Sequence, residues 1–370
     1  MWTINSERIL ADNCGLRMIG LDKAREERKL SHITHTIEMA AGPRSAGWED
    51  VHLVHQALLQ FDQEELDASA VLFNKKLELP LVINAMTGGA DGLEKINASL
   101  ARAAKETGVG MAVGSQTAGI YNRRVRHTYE IVRQINPDGL ILANTGALVN
   151  PECAQEAVEM LKADALQLHL NGVQELLMAE GDRDFNRLEE NIGQVVENID
   201  VPVIVKEVGF GISGETAARL SKLGVQAIDI GGAGGTNFAG IELARNPRPG
   251  LEYLLNWGIS AACSLLEVKS LRLPFTIMAS GGITNSLEMM KALAMGADAT
   301  GIAGVFLKIL LQDGEEALIN KIESMKDELK ILMMITGAKA AAGISKIPFV
   351  ITGFTREWCE QRLPIKEVRR

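Results

Sequence analysis

From about residue 77 onward, short apolar runs rich in β-branched residues alternate with longer stretches whose apolar positions recur three and four apart. The short runs are Leu79–Asn84, Met111–Gly114, Leu140–Asn144, Ala165–Leu170, Pro202–Lys206, Ala227–Ile230, Thr276–Ala279 and Ala299–Ile302, and they read as strands. Between them, Ala98–Thr107, Cys153–Lys162, Leu188–Asn198, Glu215–Leu223 and Ser286–Met295 read as amphipathic helices. Eight strand–helix units ending near Met334 predict a single α/β domain, a (β/α)8 TIM barrel, which takes roughly 250 residues. The expected division is an N-terminal extension over 1–76, the barrel over 77–340 and a short C-terminal tail over 341–370. The terminal Lys366-Glu367-Val368-Arg369-Arg370 reads as a solvated end.

Composition narrows what such a barrel binds. The 36 glycines stand against 3 tyrosines and 4 tryptophans, which suggests backbone brought close to a ligand or a packed helix. A net charge of −9 argues against a nucleic-acid surface, so a phosphorylated ligand needs a local patch. Cys14, Cys153, Cys263 and Cys359 show no metal spacing and read as free thiols of a reducing compartment. No secretory leader pattern opens the chain, and no apolar run approaches membrane-spanning length. The expectation is a cytoplasmic protein with neither a membrane nor a nucleic-acid partner.

Barrel enzymes build their sites just past the strand C-termini. Those positions here read Met86-Thr87-Gly88-Gly89, Ser115-Gln116, Asn144-Thr145-Gly146, His169-Leu170-Asn171, Lys206-Glu207, Gly231-Gly232-Ala233-Gly234-Gly235-Thr236, Ser280-Gly281-Gly282-Ile283 and Ala303-Gly304. Glycines, hydroxyls and amides leave N–H groups available to donate. The last two ends follow strands seven and eight, where barrels commonly hold a phosphate. Lys206 closes an otherwise apolar run, so it needs an anionic or electron-rich partner: a bound ring edge, or a salt bridge to Glu207 or another neighbour. Gly209-Phe-Gly211-Ile-Ser-Gly214 matches a dinucleotide fingerprint with Asp229 at the expected remove. Its place in the middle of an eight-unit series argues against that reading.

After His169 come Asn171, Gln174 and Glu175, a polar group at one strand mouth. Glu175 suits either a Mg²⁺ carrying a diphosphate or a role at the start of the following helix, and spacing does not choose. Arg28-Lys29 with His32 makes a cationic patch. The pairs His32/His35 and His52/His55 have helical spacing without a carboxylate set, so no zinc site is expected.

Taken in order, these segments resemble a family. RK-x-x-H at Arg28–His32, INAMTGG at Ile83–Gly89, VGSQ at Val113–Gln116, LHLN-x-x-QE at Leu168–Glu175, EGDR at Glu180–Arg183, VKEVGFG at Val205–Gly211, GG-x-GGTNF at Gly231–Phe238, ASGG at Ala279–Gly282 and AG at Ala303–Gly304 are similar to the FMN-dependent, type 2 isopentenyl-diphosphate isomerases. The resemblance covers about residues 25–360. It implies interconversion of isopentenyl and dimethylallyl diphosphate with reduced FMN, NADPH and Mg²⁺, in isoprenoid biosynthesis. With no net redox change, the flavin acts as an acid–base or electronic participant.

The resemblance assigns FMN contacts to Met86, Thr87, Gly88, Ser115, Asn144, Lys206, Gly231, Thr236, Gly281, Gly282, Ile283, Ala303 and Gly304. Lys206 would lie at the N1/C2 carbonyl edge of the flavin. Arg28, Lys29, His32, His169, Asn171 and Gln174 would face a small diphosphate substrate, and Glu175 would bind Mg²⁺. Gln174, His169 and Glu242 are the candidate catalytic groups, with Gln174 as a proton relay. The family also implies a homo-oligomer, a tetramer or octamer. The chain departs from some members at Thr117, Gly231 and Ala179 and by roughly twenty additional N-terminal residues. A rival barrel, a 2-hydroxy-acid oxidase, needs a histidine base and arginines near the flavin. The segment Gly231–Asn237 offers neither.

Overall fold

The computed structural model describes residues 29, 34, 35, 42–59 and 61–363. Arg28, His32 and Cys14 lie outside the described residues. In chain order the strands are β1 (Val51–Leu53), β2 (Ala70–Leu72), β3 (Lys75–Leu77), β4 (Leu81–Ile83), β5 (Gly110–Ala112), β6 (Ile141–Gly146), β7 (Ala165–Leu170), β8 (Val203–Glu207), β9 (Ala227–Asp229), β10 (Thr276–Ser280), β11 (Ala299–Ile302) and β12 (Phe349–Ile351). Strands β4 to β11 pair in parallel in chain order, and β11 pairs back onto β4 to close an eight-stranded barrel. These are the eight strands that the apolar runs predict.

Their register is set by side chains that fill the barrel. Val82, Ala112, Leu142, Ala165, Ile204, Ala227, Met278 and Ala299 form one buried cluster inside it. Leu72 and Leu77 from the β2–β3 hairpin join the same cluster. The hairpin therefore plugs the interior, and the polar strand ends are left for a ligand. A larger cluster fills the layer between strands and surrounding helices.

Residues 341–363 are integrated into the fold. Strand β12 pairs antiparallel with β1, joining the segments that precede and follow the barrel strands. The helix Gly353–Arg362 then packs on helix Ala261–Ser270. Trp358 donates to Glu267 over 2.8 Å, and Arg362 bonds both Glu267 and Glu215. The Lys366–Arg370 end lies outside the described residues. Of the four cysteines expected as free thiols, Cys263 and Cys359 are free and buried. Cys153 is disulfide-bonded, which overturns the expectation for that residue. Among the described residues no helix is long and apolar enough to cross a membrane.

Candidate active site

A cavity of about 320 Å³ opens at the C-terminal ends of β8, β9, β10, β11 and β4. Nine of the residues assigned to cofactor contact line it: Met86, Lys206, Gly231, Thr236, Gly281, Gly282, Ile283, Ala303 and Gly304. Gly281 and Gly282 hold φ angles of 108° and 69°, a region that side chains resist. A Cβ on Gly281 would collide with the Gly232 carbonyl, and one on Gly282 would lie 2.5 Å from the Ala46 Cβ. Beyond them the helix Gly304–Asp313 starts with no side-chain cap. Among the described residues, the N–H groups of Gly282, Ile283 and Gly304 donate to no protein acceptor. Several such donors beside a helix N-terminus suit the terminal phosphate of a nucleotide-like cofactor.

Residues outside the sequence-derived set complete this end. Trp48 is buried, and its indole N–H donates to the Gly281 carbonyl over 3.1 Å. Lys291 in turn donates to the Trp48 carbonyl over 2.8 Å. Lys308, one turn into the helix that starts at Gly304, lines the cavity and supplies an exposed cation. A search for a lysine one turn past the Ala303-Gly304 strand end would have found Lys308. Trp48 carries no local signal, because only the fold brings it to Gly281. His35 lines the cavity as well.

Lys206 is buried, and its ammonium lies 3.0 Å from the Asp229 carboxylate. It also donates to the Glu207 carbonyl and the Ser280 hydroxyl. Asp229 is fully buried and accepts further bonds from Asn84, Ser280 and the Gly231 N–H. The acid that completes the fingerprint in the sequence is thus the buried ion-pair partner of Lys206. The Glu207 side chain makes no ion pair with Lys206, because it points the other way. It accepts from the N–H groups of Phe210 and Gly211, at 2.5 and 3.0 Å. Ser264 accepts from Ile212 N–H and Glu267 from Gly214 N–H. The amides of the fingerprint-like loop are therefore spent on the protein's own oxygens, which removes it as a dinucleotide site. Burial pushes the Glu207 carboxyl up to about 8, against the pull of those N–H groups and the Lys206 charge.

Thr87, Gly88, Ser115 and Asn144 do not line this cavity. Thr87 is buried, and its carbonyl accepts from Gly114 N–H. Gly88 packs on the Tyr129 ring. The Ser115 carbonyl accepts from Tyr129 and from Lys29, which also reaches the Gly88 carbonyl and the Tyr129 hydroxyl. Lys29 is thus seated on the wall formed by β4 and β5 ends. Asn144 sits within β6 rather than past it and contacts His169 Nδ1 over 2.8 Å.

The remaining candidates cluster after β7. Asn171 precedes the short helix Gly172–Leu177, which carries Gln174 and Glu175. Gln174 is buried and donates to the buried Glu242 over 3.0 Å. Glu242 rides on the helix Phe238–Arg245, whose N-terminus is capped by the Asn237 side chain. Arg245 bridges Glu242 and Glu180. Leu177, Phe210 and Ala239 form the apolar contact that holds these two helices together.

Glu175 does not cap its helix. One of its oxygens accepts from Asn171 over 2.7 Å and the other from Asp182 N–H over 2.9 Å. Each carboxylate oxygen keeps a second lone pair for a cation. Among the described residues no group of three His, Cys, Asp or Glu side chains could hold a metal ion. A single half-buried carboxylate fits a Mg²⁺ that completes its shell with phosphate oxygens and water, not a metal caged by protein.

Residues 122–347 match the FMN-dependent dehydrogenase family. A protein of Moorella thermoacetica named isopentenyl-diphosphate delta-isomerase is 49% identical over 338 residues, covering 91% of this chain and 97% of that one. A protein of Symbiobacterium thermophilum with the same name is 45% identical over 351 residues, with 91% and 96% covered. Among solved structures, a flavocytochrome b2 variant superposes with a TM-score of 0.66 at 15% identity, covering 94% of this chain and 95% of that one. A mandelate oxidase variant superposes with a TM-score of 0.63 at 15% identity, covering 86% and 96%. At that identity these two share the fold.

Proposed function

The chain belongs to the isopentenyl-diphosphate delta-isomerase family, and from that membership we propose how its barrel mouth performs the isomerisation. The reaction shifts a carbon–carbon double bond between isopentenyl and dimethylallyl diphosphate, with FMN as cofactor. Bound FMN, kept reduced by NADPH, would supply an electron-rich ring able to take up and release a proton. Gly281, Gly282, Ile283 and Gly304 hold the cofactor phosphate through backbone N–H groups, with Lys308 balancing its charge. Lys206, paired with Asp229, would face the electron-rich edge of the flavin.

The diphosphate of the substrate would take a second site at His169 and Asn171, to which the family resemblance adds Arg28, Lys29 and His32. Glu175 would hold a Mg²⁺ that offsets the diphosphate charge. Glu242 holds the proton that moves to or from an allylic carbon. Gln174 cannot ionise; it commits one Glu242 oxygen and orients the carboxyl. Such a protein works in the cytoplasm, in isoprenoid biosynthesis, as a tetramer or octamer.

The observation that carries this reading is the buried Gln174–Glu242 pair at 3.0 Å. The test is an anaerobic assay with isopentenyl diphosphate, Mg²⁺, FMN and NADPH. Conversion should appear with reduced FMN and vanish when Mg²⁺ is chelated. Turnover under air with oxidised FMN and no reductant would overturn the mechanism.

A further inference from the structure

A row of buried side-chain amides crosses the barrel interior, and its donor–acceptor order has a single solution. Asn84 fixes one end. Its Oδ1 accepts from the Ala85 backbone N–H over 2.9 Å, which can only donate. Its Nδ2 then donates to the Asp229 carboxylate over 2.7 Å. Gln167, fully buried, must present its Nε2 to the same Asn84 oxygen, at 3.2 Å. That turns Gln167 Oε1 toward Asn144, whose Nδ2 lies 3.4 Å away. Asn144 therefore shows Oδ1 to His169, 2.8 Å from Nδ1. An amide oxygen accepts only, so His169 Nδ1 must carry a hydrogen.

We propose that this row locks His169 in the Nδ1–H form, so that its Nε2 recognises an anion only after taking up a proton. Nε2 lies on the side of Gly146, the last residue of β6, at the half-buried mouth. In the neutral ring that nitrogen is an acceptor and repels a phosphate oxygen; in the imidazolium it donates. No proton travels along the row, because amides do not ionise at these pH values. Asn84, Gln167 and Asn144 are positioning residues.

Among the described residues, the charged or titratable groups on the flanking elements are Lys206, Glu207 and Glu175, and Glu207 turns its carboxyl onto the Phe210 and Gly211 N–H groups. Lys206 sits beside His169 in register on β8 and is paired with Asp229. Glu175 follows on the next helix, with its oxygens on Asn171 and Asp182. None of the three replaces Asn144 at Nδ1.

The anion half of this inference rests on the diphosphate reading above, whereas the tautomer half does not. The test uses the FMN-loaded protein labelled with ¹⁵N-histidine, with the His169 signals assigned by their loss in His169→Gln. At a pH where the ring is neutral, wild type should show a protonated, pyrrole-type Nδ1 and an unprotonated Nε2. The opposite tautomer, or an even mixture, would overturn the lock. Gln167→Leu should release it into a mixture of tautomers; an unchanged Nδ1–H form there would remove the row as its cause. Magnesium pyrophosphate, added as the probe at that pH, should protonate Nε2 with uptake of about one proton per anion bound. Binding without proton uptake would sink the anion half. No binding at all would remove the diphosphate reading and leave the tautomer result standing.

Discussion

Gln174 and Glu242 lie 68 residues apart in sequence, yet the Gln174 amide donates to the Glu242 carboxylate over 3.0 Å. Both are buried, and they come from the helices that follow β7 and β9. A carboxylate in such a place, with one oxygen fixed by an amide and the other by Arg245, is oriented rather than merely present. Glu242→Gln should therefore lower kcat by about 10²-fold or more while FMN stays bound, since it deletes a proton carrier of nearly the same shape. Steady-state rates alongside flavin absorbance check this. An unchanged kcat would remove Glu242 from the chemistry.

The Trp48–Gly281 bond predicts a phosphate-specific defect. Trp48→Phe keeps the ring in its buried place but loses the N–H that orients the Gly281 peptide. FMN affinity should fall by roughly 5–10-fold, the worth of about one hydrogen bond, while riboflavin affinity stays put. Titration by flavin fluorescence separates the two. Equal losses for both ligands would mean that Trp48 matters only for packing.

Gly282→Ala should be far more severe. The added Cβ meets Ala46 and the backbone of Gly234, at a φ that alanine avoids. The expected product is a folded protein purified without yellow colour. Retention of FMN at wild-type affinity would place the phosphate elsewhere.

Glu207 gives a pH dependence of stability. Its carboxyl is raised from 4.5 to about 8 by burial, so the folded state binds the proton more tightly than the unfolded chain. The stability that this contributes is complete below about pH 4.5 and is lost as pH climbs through about 8. Melting temperature should fall over that window in wild type and fall less in Glu207→Gln. Parallel curves for the two proteins would show that another group controls the slope.

The two free thiols should be silent in the native state. Burial raises the Cys263 thiol and pushes Cys359 up to about 12, so neither is a thiolate at neutral pH. Peptide mapping after brief alkylation should find Cys263 and Cys359 unmodified, and fully modified once the protein is unfolded. Rapid native labelling of either would contradict the packing of helix Gly353–Arg362.

Much of this protein was legible before folding was considered. The eight strands appear as apolar runs because a barrel interior and its helical jacket both demand apolar residues, a local pattern. The glycine pairs after β9 and β10 are equally legible, since only glycine fits backbone packed that close. What the chain order alone left open was decided by closure. Asp229, read locally as part of a nucleotide fingerprint, becomes the partner of Lys206 because β8 and β9 stand side by side. The Glu207 side chain turns away and fills the loop that the fingerprint suggested for phosphate. Trp48 reaches Gly281 across 233 residues, with no motif to announce it. Sequence determined which elements form, because periodicity and glycine placement are local properties. Only the closed barrel decided which buried polar groups pair, because donors and acceptors far apart in the chain must satisfy one another once water is gone.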